Sequence, residues 1–275
     1  MNKDSKIKIS AKGSRKKGDE FIKETTYLAS IVDCIEIDFN FPHDDNFGVE
    51  MEFLKKLGRE QNIKYTTHAQ YLNGSLNDFN KEVRKATLKE LFKNIDLTAD
   101  LGARVMTLHP ALEPYGFELE ERVNLEIKAY QELADYALQK DIEIGLENEA
   151  QTCFWFPDRA CKFKLLEQAV KTVDRPNFGF TLDFGHANMS GEDYIAAIKK
   201  LNKKILHLHA HDNLGKSENN ITKFNRPDPH LAPGQGTVDW KNIVKALQKI
   251  SYQGYFEMEC EIHEMKTAIG FISNL

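Results

Sequence analysis

The sequence predicts a single (β/α)8 barrel spanning residues 1–275. Eight short, β-rich apolar runs alternate with longer amphipathic segments. Eight strand–helix units fit a chain of 275 residues. No Pro/Gly/Ser linker or low-complexity tract divides the alternation, so it belongs to one domain. An open doubly wound sheet would carry a glycine-rich phosphate turn after its first strand. Here that turn reads SAKGSRKKGD and lacks GxGxxG, and neither a Walker sequence nor GxSxG occurs elsewhere.

In chain order, the expected strands are residues 6–10, 33–38, 63–68, 104–109, 142–147, 178–183, 205–209 and 255–259. The spacing between the third and fourth predicts a helix over 78–101. It places Val83, Thr87, Leu91, Ile95 and Ala99 on one face, with Asp78 as N-cap. Gly102 follows as the glycine that ends the helix. A second helix is expected over 118–140, with Val123, Ile127, Tyr130, Ala134 and Ala137 facing inward. Helices over 238–250 and 261–273 close the pattern.

Composition excludes several classes. A hydrophobic fraction of 41% supports a sizeable core, and 29% charged residues is ordinary for a globular protein. No apolar run approaches the ~18–20 residues of a membrane span. The opening MNKDSKIKIS lacks the apolar stretch of a secretory signal. Cys34, Cys153, Cys161 and Cys260 are scattered, so neither a disulfide framework nor a CxxC zinc site is expected. A cytoplasmic location follows as the expectation, with no membrane partner. Lys+Arg 37 against Asp+Glu 42 gives a net charge of −5 and no overall footprint for nucleic acid. The locally basic start (Lys3, Lys6, Lys8, Lys12, Arg15, Lys16, Lys17) reads as solvated surface.

Chemistry on such a barrel sits at the C-terminal ends of its strands. Those ends carry His68, His109, Glu147, Asp183 (with His186 one turn on), His209 and Glu259. The loop after the seventh strand adds Asp228 and His230. Buried strand ends rarely hold such groups unless they are paired or bind metal. Imidazoles and carboxylates together suit a divalent ion, zinc first as histidines accumulate, with manganese or another divalent ion also accommodated. Bridging carboxylates allow one to three ions. Each group alone has a plainer reading: His109 as a structural histidine, Glu147 and Glu259 as salt-bridge acids, Asp183 as a helix cap. Strand alternation turns His207, His209 and His211 to the same side, so facing inward does not by itself select a ligand. His209 is the expected ligand, and His207 and His211 are supporting or core groups. His43 and His263 fall outside the pattern and read as surface. Tyr71, Trp155 within CFWFP, and Arg226 are candidate substrate contacts.

These residues and the stretches HAQYLN, RKATLKELFKNIDLTADLGARVMTLHPA, TLDFGHANMSG and HDNLG…DPHLAPGQGTVDW resemble the xylose isomerase-like TIM-barrel superfamily over nearly the whole chain. The superfamily holds sugar and sugar-phosphate isomerases and epimerases, and the family-2 apurinic/apyrimidinic endonucleases. The isomerase branch implies one metal on Glu147, Asp183, His209 and Glu259. Glu147 and Glu259 would then also move the proton, and His186 would touch the substrate. The endonuclease branch implies three zinc ions: His68 and His109 on the first, Glu147 bridging to a second held by Asp183, His209 and Glu259, and His186, Asp228 and His230 on the third. Departures favour the isomerase branch: ENEAQTC replaces ENTAGQG, DFGH replaces DTCH, and CIEIDFN resembles the isomerases' second strand. Tyr71 matches an endonuclease position that enters DNA. The leading expectation is a divalent-metal-dependent sugar or sugar-phosphate isomerase/epimerase. The alternative is a zinc-dependent endonuclease that hydrolyses phosphodiesters at abasic sites, and only under it is DNA a partner. The sequence leaves the oligomeric state open.

Overall fold

Strands of period-two residues each put one row of side chains toward a common axis and the other toward a helix. The computed structural model describes residues 7–39, 47–70, 75–112, 120–150 and 158–275. Its strands are β1 (Lys8–Lys12), β2 (Cys34–Asp38), β3 (Lys64–His68), β4 (Val105–Leu108), β5 (Glu143–Glu147), β6 (Phe178–Asp183), β7 (Ile205–Ala210) and β8 (Tyr255–Met258). All pair in parallel with their sequence neighbours, and β1 pairs with β8 to close the barrel. The helices are α1 (Gly18–Ala29), α2 (Phe47–Gln61), α3 (Lys81–Asp100), α4 (Glu120–Leu138), α5 (Asp158–Cys161), α6 (Phe163–Val173), α7 (Phe184–Ser190), α8 (Tyr194–Leu201), α9 (Ser217–Phe224), α10 (Trp240–Lys249) and α11 (Met265–Ser273). Among the described residues no helix is long and apolar enough to cross a membrane.

The first strand lies two residues later than the apolar pattern suggests. Ile7 and Ile9 pack outward against the core, and Ser10 is buried. Lys12 extends the strand because its ammonium finds Glu259 at 2.6 Å. The cap of α3 is Asn80, whose side chain accepts from the Glu82 N–H at 2.9 Å. Asp78 instead accepts from the Asn80 N–H at 2.7 Å, so it shapes the turn before the helix. Gly102 does follow that helix in the left-handed region, at φ 72°.

The inner face of α4 also differs from expectation. Tyr130, Ala134 and Ala137 are buried, whereas Val123 and Ile127 are half-buried. Arg122 and Glu126 take the buried positions instead. Glu126 receives Arg159 Nε and Nη2 at 2.9 and 2.6 Å and the Ala111 N–H at 2.9 Å. A buried carboxylate thus ties the loop after β4 to α5.

Candidate metal centre

The upper part of the barrel is lined by charge. Glu36, His207, His209, Glu257, Glu147 and Asp183 are all at most 1% exposed. Four of the predicted ligands, Glu147, Asp183, His209 and Glu259, each offer one atom, and these atoms lie within 4.8 Å of one another. A second group joins His68 and His109 to Glu147, and a third joins His186, Asp228 and His230 with His211. All nine predicted ligands are therefore brought together at one end of the barrel.

The histidine rings are held in a definite sense. His68 Nδ1 lies 2.9 Å from the Ala69 carbonyl, and His186 Nδ1 lies 2.9 Å from that of Asn148. A carbonyl oxygen only accepts, so each Nδ1 carries the hydrogen. The other nitrogen then faces a carboxylate: His68 Nε2 lies 3.4 Å from Glu147 Oε2, and His186 Nε2 lies 3.4 Å from Asp228 Oδ2. In a neutral ring that nitrogen presents a lone pair, which is repelled by a carboxylate unless a cation stands between. Metal-binding histidines are oriented in this way, by a backbone carbonyl behind the ring. Asp183 behaves likewise. Its Oδ1 accepts the His186 N–H at 2.7 Å as the cap of α7, and its buried Oδ2 makes no hydrogen bond. One carboxylate thus caps the helix with Oδ1 and turns Oδ2 toward His211 Nδ1, 3.3 Å away.

Glu147 is the hub. Its Oε2 lies 2.9 Å from His109 Nε2, and its Oε1 lies 2.8 Å from His209 Nδ1. Burial opposes ionisation of Glu147, but the charges of His209 and His109 overcome it and hold the carboxyl well below the usual range. Burial alone would lower the His109 pKa, yet Glu149 and Glu147 hold it at about 10. His186 is likewise held at about 10, against burial, by Asp183 and Asp228. Without a metal the cluster therefore recruits protons, as a site built for a cation would. His230 adopts a left-handed backbone at φ 48°, a region that histidine enters more readily than most side chains.

Several partners lie outside the predicted set. Glu149 pairs with His109 Nδ1 and so orients that ring from behind. Glu36 lies 3.4 Å from His209 Nε2 and does the same for His209. Glu36 and Glu257 lie 3.1 and 3.0 Å from His207 Nε2, and with His209 these residues form a further buried group of possible ligands. Lys12 holds Glu259. Glu149 and Glu257 were visible in the sequence as i,i+2 companions of Glu147 and Glu259 on the same strand face. Glu36 and Lys12 had no such local signal. Asp212 fills a different role: it accepts from Trp240 Nε1 and the Gly234 N–H at 2.8 and 2.9 Å, which anchors the following loop.

Arg226 is exposed and lines a cleft of about 920 Å³ with Lys12, Arg15, Asp228, His230 and Glu259. His263 also lines this cleft and is exposed. Tyr71, Trp155 and His43 lie outside the described residues.

A family model described as a xylose isomerase-like TIM barrel matches residues 28–274. The chain belongs to this xylose isomerase-like family. It is similar to the protein MJ1311 of Methanocaldococcus jannaschii, with 27% identity over 213 residues, 76% of this chain and 68% of that one. Inosose dehydratase of Geobacillus thermodenitrificans is 24% identical over 192 residues, 62% of each chain. Among solved structures, a D-tagatose 3-epimerase-like protein superposes with a TM-score of 0.81 at 22% identity, over 98% of this chain and 99% of that one. The 3-keto-D-glucoside 4-epimerase YcjR of E. coli superposes with a TM-score of 0.79 at 16% identity, over 98% and 100%. At these identities the structural likeness shows the fold of the xylose isomerase-like family.

Proposed function

We propose that this protein is a divalent-metal-dependent isomerase or epimerase of a sugar or sugar phosphate. The observation that carries the reading is the convergence of Glu147, Asp183, His209 and Glu259, buried at the ends of β5 to β8. Their mixed nitrogen and oxygen donors fit zinc, manganese or a similar ion. Bound there, the ion would polarise neighbouring carbonyl and hydroxyl oxygens of a sugar. Glu147 and Glu259 reach the site from strands at different points on the barrel wall. One removes the proton α to the carbonyl and the other returns it. Lys12 keeps Glu259 ionised: burial raises its pKa, but Lys12 and His209 bring it well below the ordinary value. The open cleft is lined by both signs of charge, with Arg15, Lys16, Lys23 and Arg226 beside Glu24, Asp228 and Glu261, which suits a polar substrate such as a sugar or a sugar phosphate. The names of the similar proteins, epimerases and inosose dehydratases, agree in pointing to small polyols.

The second reading, zinc-dependent cleavage of abasic DNA, is favoured by one observation: the groups around His68–His109 and His186–Asp228–His230 also assemble. One experiment separates the two. Metal-loaded protein is incubated with a panel of ketoses and ketose phosphates, and in parallel with an abasic oligonucleotide. Formation of an epimer or aldose, lost in Glu147→Gln, supports the first reading. Strand nicking without any sugar conversion overturns it.

A further inference from the structure

His211 is not one of the four proposed sugar-site ligands, yet it is fully buried and its Nδ1 also lies 3.5 Å from Glu259 Oε2. Each of its ring nitrogens faces a carboxylate. Its Nε2 lies 3.1 Å from Asp228 Oδ1, and its Nδ1 lies 3.3 Å from Asp183 Oδ2. The ring occupies space that exists only because residue 185 is glycine. A Cβ on Gly185 would lie 2.1 Å from His211 Nε2. The glycine in DFGH and the second histidine of HAHD are therefore a matched pair.

The loop after β7 supplies the rest. Asp212 and Leu231 exchange backbone hydrogen bonds of 2.7 and 2.9 Å, which folds the intervening segment back over the barrel. This brings His230 onto His211, with ring centroids 3.9 Å apart and planes 16° from parallel. His186, His211 and His230 then present Nε2 to Asp228 at 3.4, 3.1 and 3.5 Å. Two of these rings are fixed from behind: His186 Nδ1 faces the Asn148 carbonyl at 2.9 Å, and His230 Nδ1 faces that of Glu259 at 3.2 Å. Tetrahedral zinc with bonds of ~2.0–2.1 Å sets its neighbouring donors about 3.3 Å apart. The three imidazole nitrogens lie 3.1–3.5 Å from the Asp228 oxygens, and one donor atom from each of the four residues lies within 4.8 Å of the others.

We propose that His211 is the fourth ligand of a second metal site, completed by His186, Asp228 and His230. Its ion fastens the loop over residues 212–231 to α7 and β7. The family resemblance assigns this position three protein ligands, which would leave a place open for chemistry. Four protein ligands close the site and make it structural. The inference goes beyond the sugar-site reading and stands or falls separately from it, since its test reads bound metal and not turnover.

The full-length protein is stripped with a chelator and titrated with Zn²⁺ against a chromophoric competitor. Metal content is then read by mass spectrometry. Asp228→Asn is expected to lose one equivalent. His211→Asn and Gly185→Ala are expected to keep the ion at Glu147, Asp183, His209 and Glu259. They should bind the second ion at least ~100-fold more weakly, since lesser changes around a metal ligand already cost ~10–100-fold. Wild-type affinity and stoichiometry in both His211→Asn and Gly185→Ala would overturn the proposal, as would an Asp228→Asn variant that loses no metal. A zinc anomalous-scattering map of wild-type crystals needs no variant. A peak within bonding distance of His211 Nε2 supports the assignment, and a map with none there overturns it.

Discussion

Replacing Glu126 by alanine tests how the loops that carry the site are held. Glu126 is 3% exposed and Arg159 8%. The carboxylate accepts two N–H bonds from Arg159 on Oε2, and the Ala111 N–H and Tyr130 hydroxyl on Oε1. Removing it takes the carboxylate away from a buried guanidinium, at a cost of ~3–5 kcal/mol. The two remaining donors lose their acceptor, at ~1–3 kcal/mol each, but these losses overlap with the first. The expected destabilisation of Glu126→Ala is thus ~4–6 kcal/mol. At ~2–4 °C per kcal/mol for a domain near this size, Tm should fall by roughly 10–20 °C. Urea unfolding followed by circular dichroism, at fixed metal concentration, measures the change. The double variant Glu126→Ala/Arg159→Met also removes the buried charge and should be more stable than the single one. A single variant within ~1 kcal/mol of wild type, or a double variant that is no better than the single, would show that Glu126 does not hold these elements together.

Three further outcomes are expected. Glu149→Gln removes the anion behind His109, and should weaken metal binding at the His68–His109–Glu147 group by ~10–100-fold in a competitive chelator titration. Gly145→Ala would set a Cβ 2.3 Å from Thr181 Oγ1 and 3.1 Å from its backbone nitrogen, inside the barrel wall. It should cost ~1–3 kcal/mol in a denaturation midpoint, and a neutral result would show the strand can yield there. Chelation should lower Tm and metal should restore it, with ~2.7 kcal/mol gained at a hundredfold excess over Kd; an unchanged melting curve would argue that nothing binds.

Much of the fold was legible because strand periodicity and helix periodicity are local signals. β6 runs over Phe178–Asp183, matching the expected residues 178–183. The N-terminal strand was harder because Lys12 is polar, and only its distant partner Glu259 explains why it stays in the sheet. Capping by Asn80 and not Asp78 reflects a two-residue difference in where the chain turns, which propensity does not resolve. The candidate ligands were legible because strand ends on one face of a barrel must converge. Their supports were not. Glu36 meets His209 across the barrel interior, and His211 meets Asp228 only after the loop folds back. The glycine in DFGH was readable as a departure from DTCH, but its reason, space for the His211 ring, needed three dimensions.

Proton transfer between Glu147 and Glu259 at a metal-assisted site, as proposed, is tested most directly by turnover in D2O on whichever ketose is converted, with the product read by NMR. Solvent deuterium is expected at the carbon that was α to the carbonyl, and none without metal or in Glu147→Gln and Glu259→Gln. Product that retains the substrate's original hydrogen at that carbon, formed at an undiminished rate by either variant, would contradict it.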